Sequence, residues 1–236
     1  DAQESRGLGD VYKRQLLGWS IGHDRDVFSL EEFTEAFDIV DVNPNPARFD
    51  QKKAESINGD HIRKLDEKDF AERTIPYLAA AGLFDEPTHE QLVLAFRVAP
   101  LVQERVQLLG DVPGMVGFLF TDDVSYDADA LKGLPANAAE VLDACVVALE
   151  PVTEFTPEKI QEALAEALVE KLELKPRIAY GPPRVAITGR RISPPLFESM
   201  ELLGKDESLR RLRSLSAFLA NLSLIHISEP TRLLSI

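Results

Sequence analysis

Helix starts recur along this chain at short intervals, and nothing between them reads as a strand. In Phe28-Ser29-Leu30-Glu31-Glu32-Phe33, Ser29 is placed to accept from the Glu32 amide while Glu32 reaches back, and Phe28 to pack on Phe33. Thr88-His89-Glu90-Gln91 repeats that reciprocal arrangement. Asp50 and Asp66 stand where caps belong, and Thr156-Pro157 opens a helix with proline where its missing N–H costs least. No sustained period-two run bounded by hairpin turns is present. These signals confine the chain to an all-α fold and predict two consecutive helical bundles, divided between residues 110 and 132.

The apolar residues follow the same reading. Leu30, Phe33 and Phe37 fall on one face of a segment that ends near Asp38, before the extended Asn43-Pro44-Asn45-Pro46. From Asp50, a helix carrying Lys52, Lys53, Ala54 and Ile57 is expected to break at Asn58-Gly59. Phe70, Thr74, Tyr77, Leu78 and Ala81 share a stripe closed by Gly82, with Pro76 marking a kink or boundary. The helix from Thr88 runs through Leu92, Ala95, Phe96 and Ala99, kinks or restarts at Pro100, and continues by Val102, Val106 and Leu109 to Gly110. Residues 135–150 turn Leu142, Val146 and Leu149 inward, and Ile160, Leu164, Leu168 and Leu172 form a regular stripe after Pro157.

Composition supports a real core: 44% of residues are hydrophobic and 28% charged. The single cysteine, Cys145, rules out an intrachain disulfide and fits a reducing compartment. His23, His61, His89 and His226 lack metal-ligand spacing, and no apolar run reaches the roughly 18 residues of a membrane helix. A soluble, cytoplasmic protein without a metal site is expected. Net charge is −14 but unevenly spread: residues 16–170 hold 12 Lys/Arg against 31 Asp/Glu, and residues 171–221 hold 10 against 5. That switch suits one face made for a polyanion, or simply a basic end on an acidic protein.

Arg184, Arg190 and Arg191 flank a predicted helix end at Thr188-Gly189, and Ser193-Pro194-Pro195 starts the next helix. Basic side chains and helix N–H groups would converge there, a cradle for backbone phosphate or an unpaired base. The alternative is an ordinary cap followed by a solvated turn. Arg210, Arg211 and Arg213 read as a solvated helix face. Lys52, Lys53, His61 and Arg63 form a second basic cluster, for phosphate contact or for pairing with Asp50, Glu55, Asp60 and Asp66. Asp122-Asp123 reads as a solvated loop rather than an acid–base pair.

Two stretches carry a resemblance. LLGWS at residues 16–20, then Phe49-Asp50, Lys53, Asn58 and His61-Ile62-Arg63, is similar to the stem-contact region of bacterial glutamyl-tRNA synthetases. Ser56-Ile57 departs from the aromatic residue that the family often carries before that asparagine. RVAITGRRISPPLFESMELLG at residues 184–204 resembles the family's distal anticodon-binding element, and LVQERVQLLGDVPGMVGFLF at 101–120 is in the family's manner.

The resemblance implies a tRNA-binding, C-terminal part: a stem-contact region at 16–65 and helical anticodon-binding subdomains at 66–132 and 133–221. It implies tRNA(Glu) as partner, a monomeric protein, and contacts at Lys53, Asn58, Arg63, Arg105, Arg184, Thr188, Arg190, Arg191 and Ser193. Trp19 itself reads as a core residue, and its place in LLGW also implies packing against a catalytic domain. The family's chemistry, ATP- and magnesium-dependent activation of glutamate and its transfer to tRNA, needs H-x-G-H-like and K-x-S-K-like elements. Neither occurs in these residues, so no catalytic residue and no cofactor is assigned here, and the fragment alone is expected to bind without catalysing. A reading without the resemblance is a helical protein–protein interaction module with an acidic surface. Residues 1–15 and 222–236 are read as non-native tails, because VYKRQ and SLIHISEPTR are similar to translated sequencing-adapter sequence.

Overall fold

The computed structural model of the chain describes Trp19, Ile21, residues 28–42 and residues 50–227, the last six by backbone alone. The Leu16-Leu17 pair, the Asn43-to-Pro46 segment, Phe49 and residues 1–15 and 228–236 lie outside the described residues. Among those described every regular element is helical. The chain divides into two compact units, residues 1–77 with 99–112 and residues 78–98 with 113–236. It therefore passes between units three times, and a proline (Pro76, Pro100 or Pro113) stands at or beside each passage.

In the first unit, α1 (Leu30–Ala36) begins with the reciprocal cap read from sequence: Glu32 N–H donates to Ser29 Oγ at 3.2 Å, and Ser29 N–H to Glu32 Oε2 at 2.7 Å. Phe28 and Phe33 rings stack 6.3 Å apart. Trp19 is covered within this same group, its ring 6.0 Å from Phe28, 5.2 Å from Phe33 and 5.6 Å from Phe37. The Trp19 side chain is thus buried among its own neighbours, as expected of a core residue.

Helix α2 (Gln51–Lys64) does not break at Asn58-Gly59. Gly59 is buried, and a Cβ there would meet Gln107 Cγ at 3.4 Å and Arg63 Nη1 at 3.3 Å, so the glycine serves close packing and not termination. Asn58 Nδ2 donates to the Gln107 carbonyl at 2.5 Å, and Gln103 Nε2 donates to the last carbonyls of α2, Ile62 at 2.9 Å and Leu65 at 2.8 Å. These bonds satisfy acceptors that a helix end leaves open. They also account for a second correction. The helix carrying Pro100 ends at Gln103 instead of running to Gly110, and beyond it the Asn58 side chain of α2 holds the Gln107 carbonyl.

Helix α3 (Glu67–Ala80) starts at Asp66, whose Oδ1 accepts from Asp69 N–H at 2.9 Å, and closes at Gly82 with φ +74°. Helix α4 (His89–Gln103) starts at the Thr88 box, with Gln91 N–H to Thr88 Oγ1 at 3.2 Å and Thr88 N–H to Gln91 Oε1 at 2.9 Å. Pro76 and Pro100 lie inside α3 and α4, each helix being shared between the units.

The second unit continues through the short helices α5 (Val112–Val116) and α6 (Ala128–Lys132) to its central helix, α7 (Ala138–Leu149). The rest comprises α8 (Pro157–Leu164), α9 (Pro176–Ala179), α10 (Gly181–Thr188), α11 (Leu196–Leu203) and α12 (Lys205–Ile227), with α7 packing chiefly on α12. Leu142, Leu149, Ile160, Leu164, Leu168, Ile187, Met200, Leu212 and Leu215 fill its core. Each large aliphatic side chain so buried contributes about 1.5–3 kcal/mol.

Helix α8 runs on as a π-helix over Ala165–Lys171. The reason is in the spacing. Residues four apart drift around an α-helix of 3.6 residues per turn, and the wider turn brings Leu168 back onto the line of Ile160 and Leu164. Leu172, expected on that stripe, is instead 43% exposed, because the helical run has ended and Glu173 takes a left-handed φ of +53°.

Arg211 is a further correction. It is 2% exposed rather than solvated, and its guanidinium donates to the Ile187 carbonyl at 2.9 Å, the Thr121 carbonyl at 2.9 Å and Glu207 Oε1 at 2.5 Å. Ile187 lies in the last turn of α10, so the cation also meets the negative end of that helix. Hydrogen bonds from Arg210 and Arg211 hold the Glu207 carboxyl below its ordinary range. Arg213 reaches Glu150 at 2.6 Å on the surface.

Candidate nucleic-acid interface

The turn from α10 to α11 is built by small hydroxyls and one glycine. Gly189 takes φ +75°, and a Cβ there would overlap the Ser125 carbonyl oxygen, so no other residue fits without moving the segment before α6. Asp127 N–H donates to the Gly189 carbonyl at 2.9 Å, tying the turn to the start of α6. Buried Thr188 donates from Oγ1 to the Arg184 carbonyl at 2.8 Å and accepts from Arg190 N–H at 3.3 Å. Buried Ser193 accepts from Arg184 Nη1 at 2.8 Å, and the same nitrogen donates to the Pro194 carbonyl at 3.0 Å. Thr188, Ser193 and Arg184 therefore brace the turn from inside, while Arg190 and Arg191 project from it exposed.

Two open hollows meet at this turn. One, of about 690 Å³, has Arg177, Arg184 and Arg191 among its lining, with an apolar wall that includes Leu134, Pro135 and Ile178. The other, of about 460 Å³, lies between Asp127–Ala130 and Arg190–Ile192. Ala130 and Arg191 line both. The larger hollow has no carboxylate in its lining, in a chain whose net charge is −14. Ile192, in the wall of the smaller hollow, is 80% exposed, and Ile178, in the wall of the larger, is exposed too. Tyr180 forms part of the wall, edge-on to Phe197 at 5.4 Å, and burial raises its phenol pKa. Guanidiniums beside an apolar wall can hold a phosphate and stack on a base together.

Of the residues singled out in the sequence, Arg184, Thr188, Arg190, Arg191 and Ser193 are brought together here. Arg177 and Tyr180 were missed. The signal that could have found them is LKPRIAYGPPR itself, where prolines on either side of two short helices set Arg177 and Arg184 on the same cleft.

Lys53, Asn58, Arg63 and Arg105 belong to the first unit. Arg63 pairs with Asp60 at 2.5 Å, Asn58 is bonded to Gln107, and Lys53 lies in the first turn of α2. Arg105 is exposed, with no ion-pair partner among the described residues. Asp122 and Asp123 are exposed, Asp123 lying 3.8 Å from Arg210, as befits a solvated loop. Among the described residues no group of three or more His, Cys, Asp or Glu is placed to hold a metal, and no helix is long and apolar enough to cross a membrane.

The chain is similar to known proteins over most of its length. The pattern of the anticodon binding domain matches residues 69–215. A glutamate–tRNA ligase of Leifsonia xyli subsp. xyli is 63% identical over 209 residues, covering 86% of this chain and 43% of that protein. Those of Paenarthrobacter aurescens and Clavibacter sepedonicus are 57% and 56% identical, over 84% and 86% of this chain and 40% and 41% of theirs. The chain thus spans well under half the length of these relatives. Among solved structures, a glutamate tRNA ligase from Elizabethkingia meningosepticum shares the fold with a TM-score of 0.74 at 23% identity, over 89% of this chain and 41% of that one. By this pattern, the chain belongs to the anticodon binding domain family.

Proposed function

We propose that this chain recognises tRNA on behalf of a glutamate–tRNA ligase, and that its second unit grips unpaired nucleotides of the anticodon loop. The observation that carries the reading is the cleft of Arg177, Arg184 and Arg191 without a lining carboxylate, in an otherwise acidic chain. Arg190 and Arg191 meet the RNA directly, Arg184 joins them from the cleft wall, and Thr188 and Ser193 hold the turn that presents them. In the first unit, Lys53, Asn58, Arg63 and Arg105 serve the stem, the cations at its phosphates. The partner is tRNA(Glu), bound by a monomer in the cytoplasm. Glutamate, ATP and magnesium belong to the activation chemistry of the longer protein, and RNA binding by this chain draws on no cofactor of its own.

The test is binding of a tRNA(Glu) transcript and an anticodon-swapped control across a salt series. Each neutralised phosphate contributes roughly 0.7–0.9 to the log–log slope. Preference for the cognate anticodon, lost in an R190A/R191A variant with unchanged circular dichroism, supports the reading. Equal, weak binding of both RNAs by a folded chain overturns it.

A further inference from the structure

Arg190 and Arg191 each rest on a glycine. A Cβ added to Gly133 would lie 3.2 Å from Arg191 Nη1, 3.3 Å from its Cζ and 3.3 Å from the Asp129 carbonyl oxygen. A Cβ on Gly114 would lie 3.3 Å from Arg190 Nη1, its single close neighbour. Neither glycine is there for its backbone freedom. Gly133 has an ordinary helical φ of −83° and ψ of −1°, and the positive-φ glycines among the described residues are Gly82, Gly189 and Gly204. Gly114 lies inside α5, where alanine is the better helix former. Conformation explains neither residue, and room explains both.

We propose that Gly133 and Gly114 are positioning residues of the RNA site, each seating one guanidinium against bare backbone. This rests on the function proposed above. Two adjacent arginines on an exposed turn would ordinarily sample many rotamers, and ordering such a side chain on binding has an entropic cost. The two glycines belong to different segments, α5 and the cap of α6, and so hold the neighbouring side chains at separate, defined places. The 3.8 Å approach of Asp127 Oδ2 to Arg190 Nε acts in the same sense. A methyl group at Gly114 displaces only a flexible side-chain end, and one at Gly133 also presses on the Asp129 carbonyl oxygen; either costs the site its alignment.

The experiment compares G133A, G114A, R191A and G133A/R191A in the full chain. Arginine Nε–Hε NMR signals are recorded without RNA, and affinity is measured with a tRNA(Glu) anticodon stem-loop. The Arg191 signal is expected to move in G133A and the Arg190 signal in G114A, with the melting temperature unchanged or raised for G114A and slightly lowered for G133A. Affinity should fall roughly tenfold in G133A, as for one lost charge-assisted hydrogen bond. G133A/R191A should bind no more weakly than R191A, because the glycine acts through the arginine. Unmoved arginine signals, or losses that multiply in the double variant, overturn the positioning role. Signals that move while neither G133A nor R191A weakens binding overturn the RNA site itself, and this role with it.

Discussion

Replacing Arg211 by methionine should cost far more stability than the same change at Arg213, two residues along α12. Methionine keeps most of the stem's volume, so the loss is confined to the guanidinium. Two carbonyls, of Ile187 and Thr121, each lose a donor at 2.9 Å. A buried acceptor such as the Ile187 carbonyl, left without a partner, costs about 1–3 kcal/mol, and the part-buried Thr121 carbonyl lies at the low end, about 1 kcal/mol. Glu207 retains Arg210, 2.7 Å away, and so is not stranded as a lone charge. The sum is about 3 kcal/mol within a range of roughly 2–4. With a urea slope of about 2–3 kcal/mol per molar, the midpoint should fall by about 1–1.5 M. R213M removes a surface pair with Glu150, and such pairs contribute about 0–1 kcal/mol. Urea unfolding followed by circular dichroism at the helix band measures both. If R211M and R213M shift the midpoint equally, the Arg211 bonds do not brace the unit, and the reasoning fails.

Two other predictions concern single sites. G189A should destabilise by roughly 3 kcal/mol or more, since a Cβ meets the Ser125 carbonyl, while G82A at a similar φ but in open space should cost only about 1 kcal/mol; equal losses by thermal unfolding would remove the steric argument. Burial pushes the Cys145 thiol up to about 12, so the folded chain keeps its proton where the unfolded chain begins to lose it, near 9. The stability contributed is complete below that pH and declines as pH rises above it. C145A should flatten the decline, and a decline unchanged in C145A would sink the assignment.

Much of the fold was legible because it rests on local chemistry. Ser29, Asp66, Thr88 and Thr156 cap helices where their side chains foretell it, and Gly189 ends one for a reason that a sequence states directly. The misreadings have a common cause: tertiary contacts overrode local signals. Gly59 looked like a breaker and is a packing surface; Arg211 looked solvated and is interior, because its partners Thr121 and Ile187 are distant in sequence. For the site, Arg184, Arg190 and Arg191 were visible as charge beside a turn. Arg177 and Tyr180 were not, since their proximity depends on two short helices meeting at Tyr180.

The interleaving of the two units limits how such a chain can be inherited or cut. A crossover or protease nick after residue 112 would not release the first unit cleanly. The piece would still carry residues 78–98, whose Leu78, Phe84, Ala95 and Val98 are buried in the second unit's half of the chain. It would bring those apolar surfaces into solvent and leave the remainder without them. The pair is therefore one module for recombination, and neither half can be traded alone.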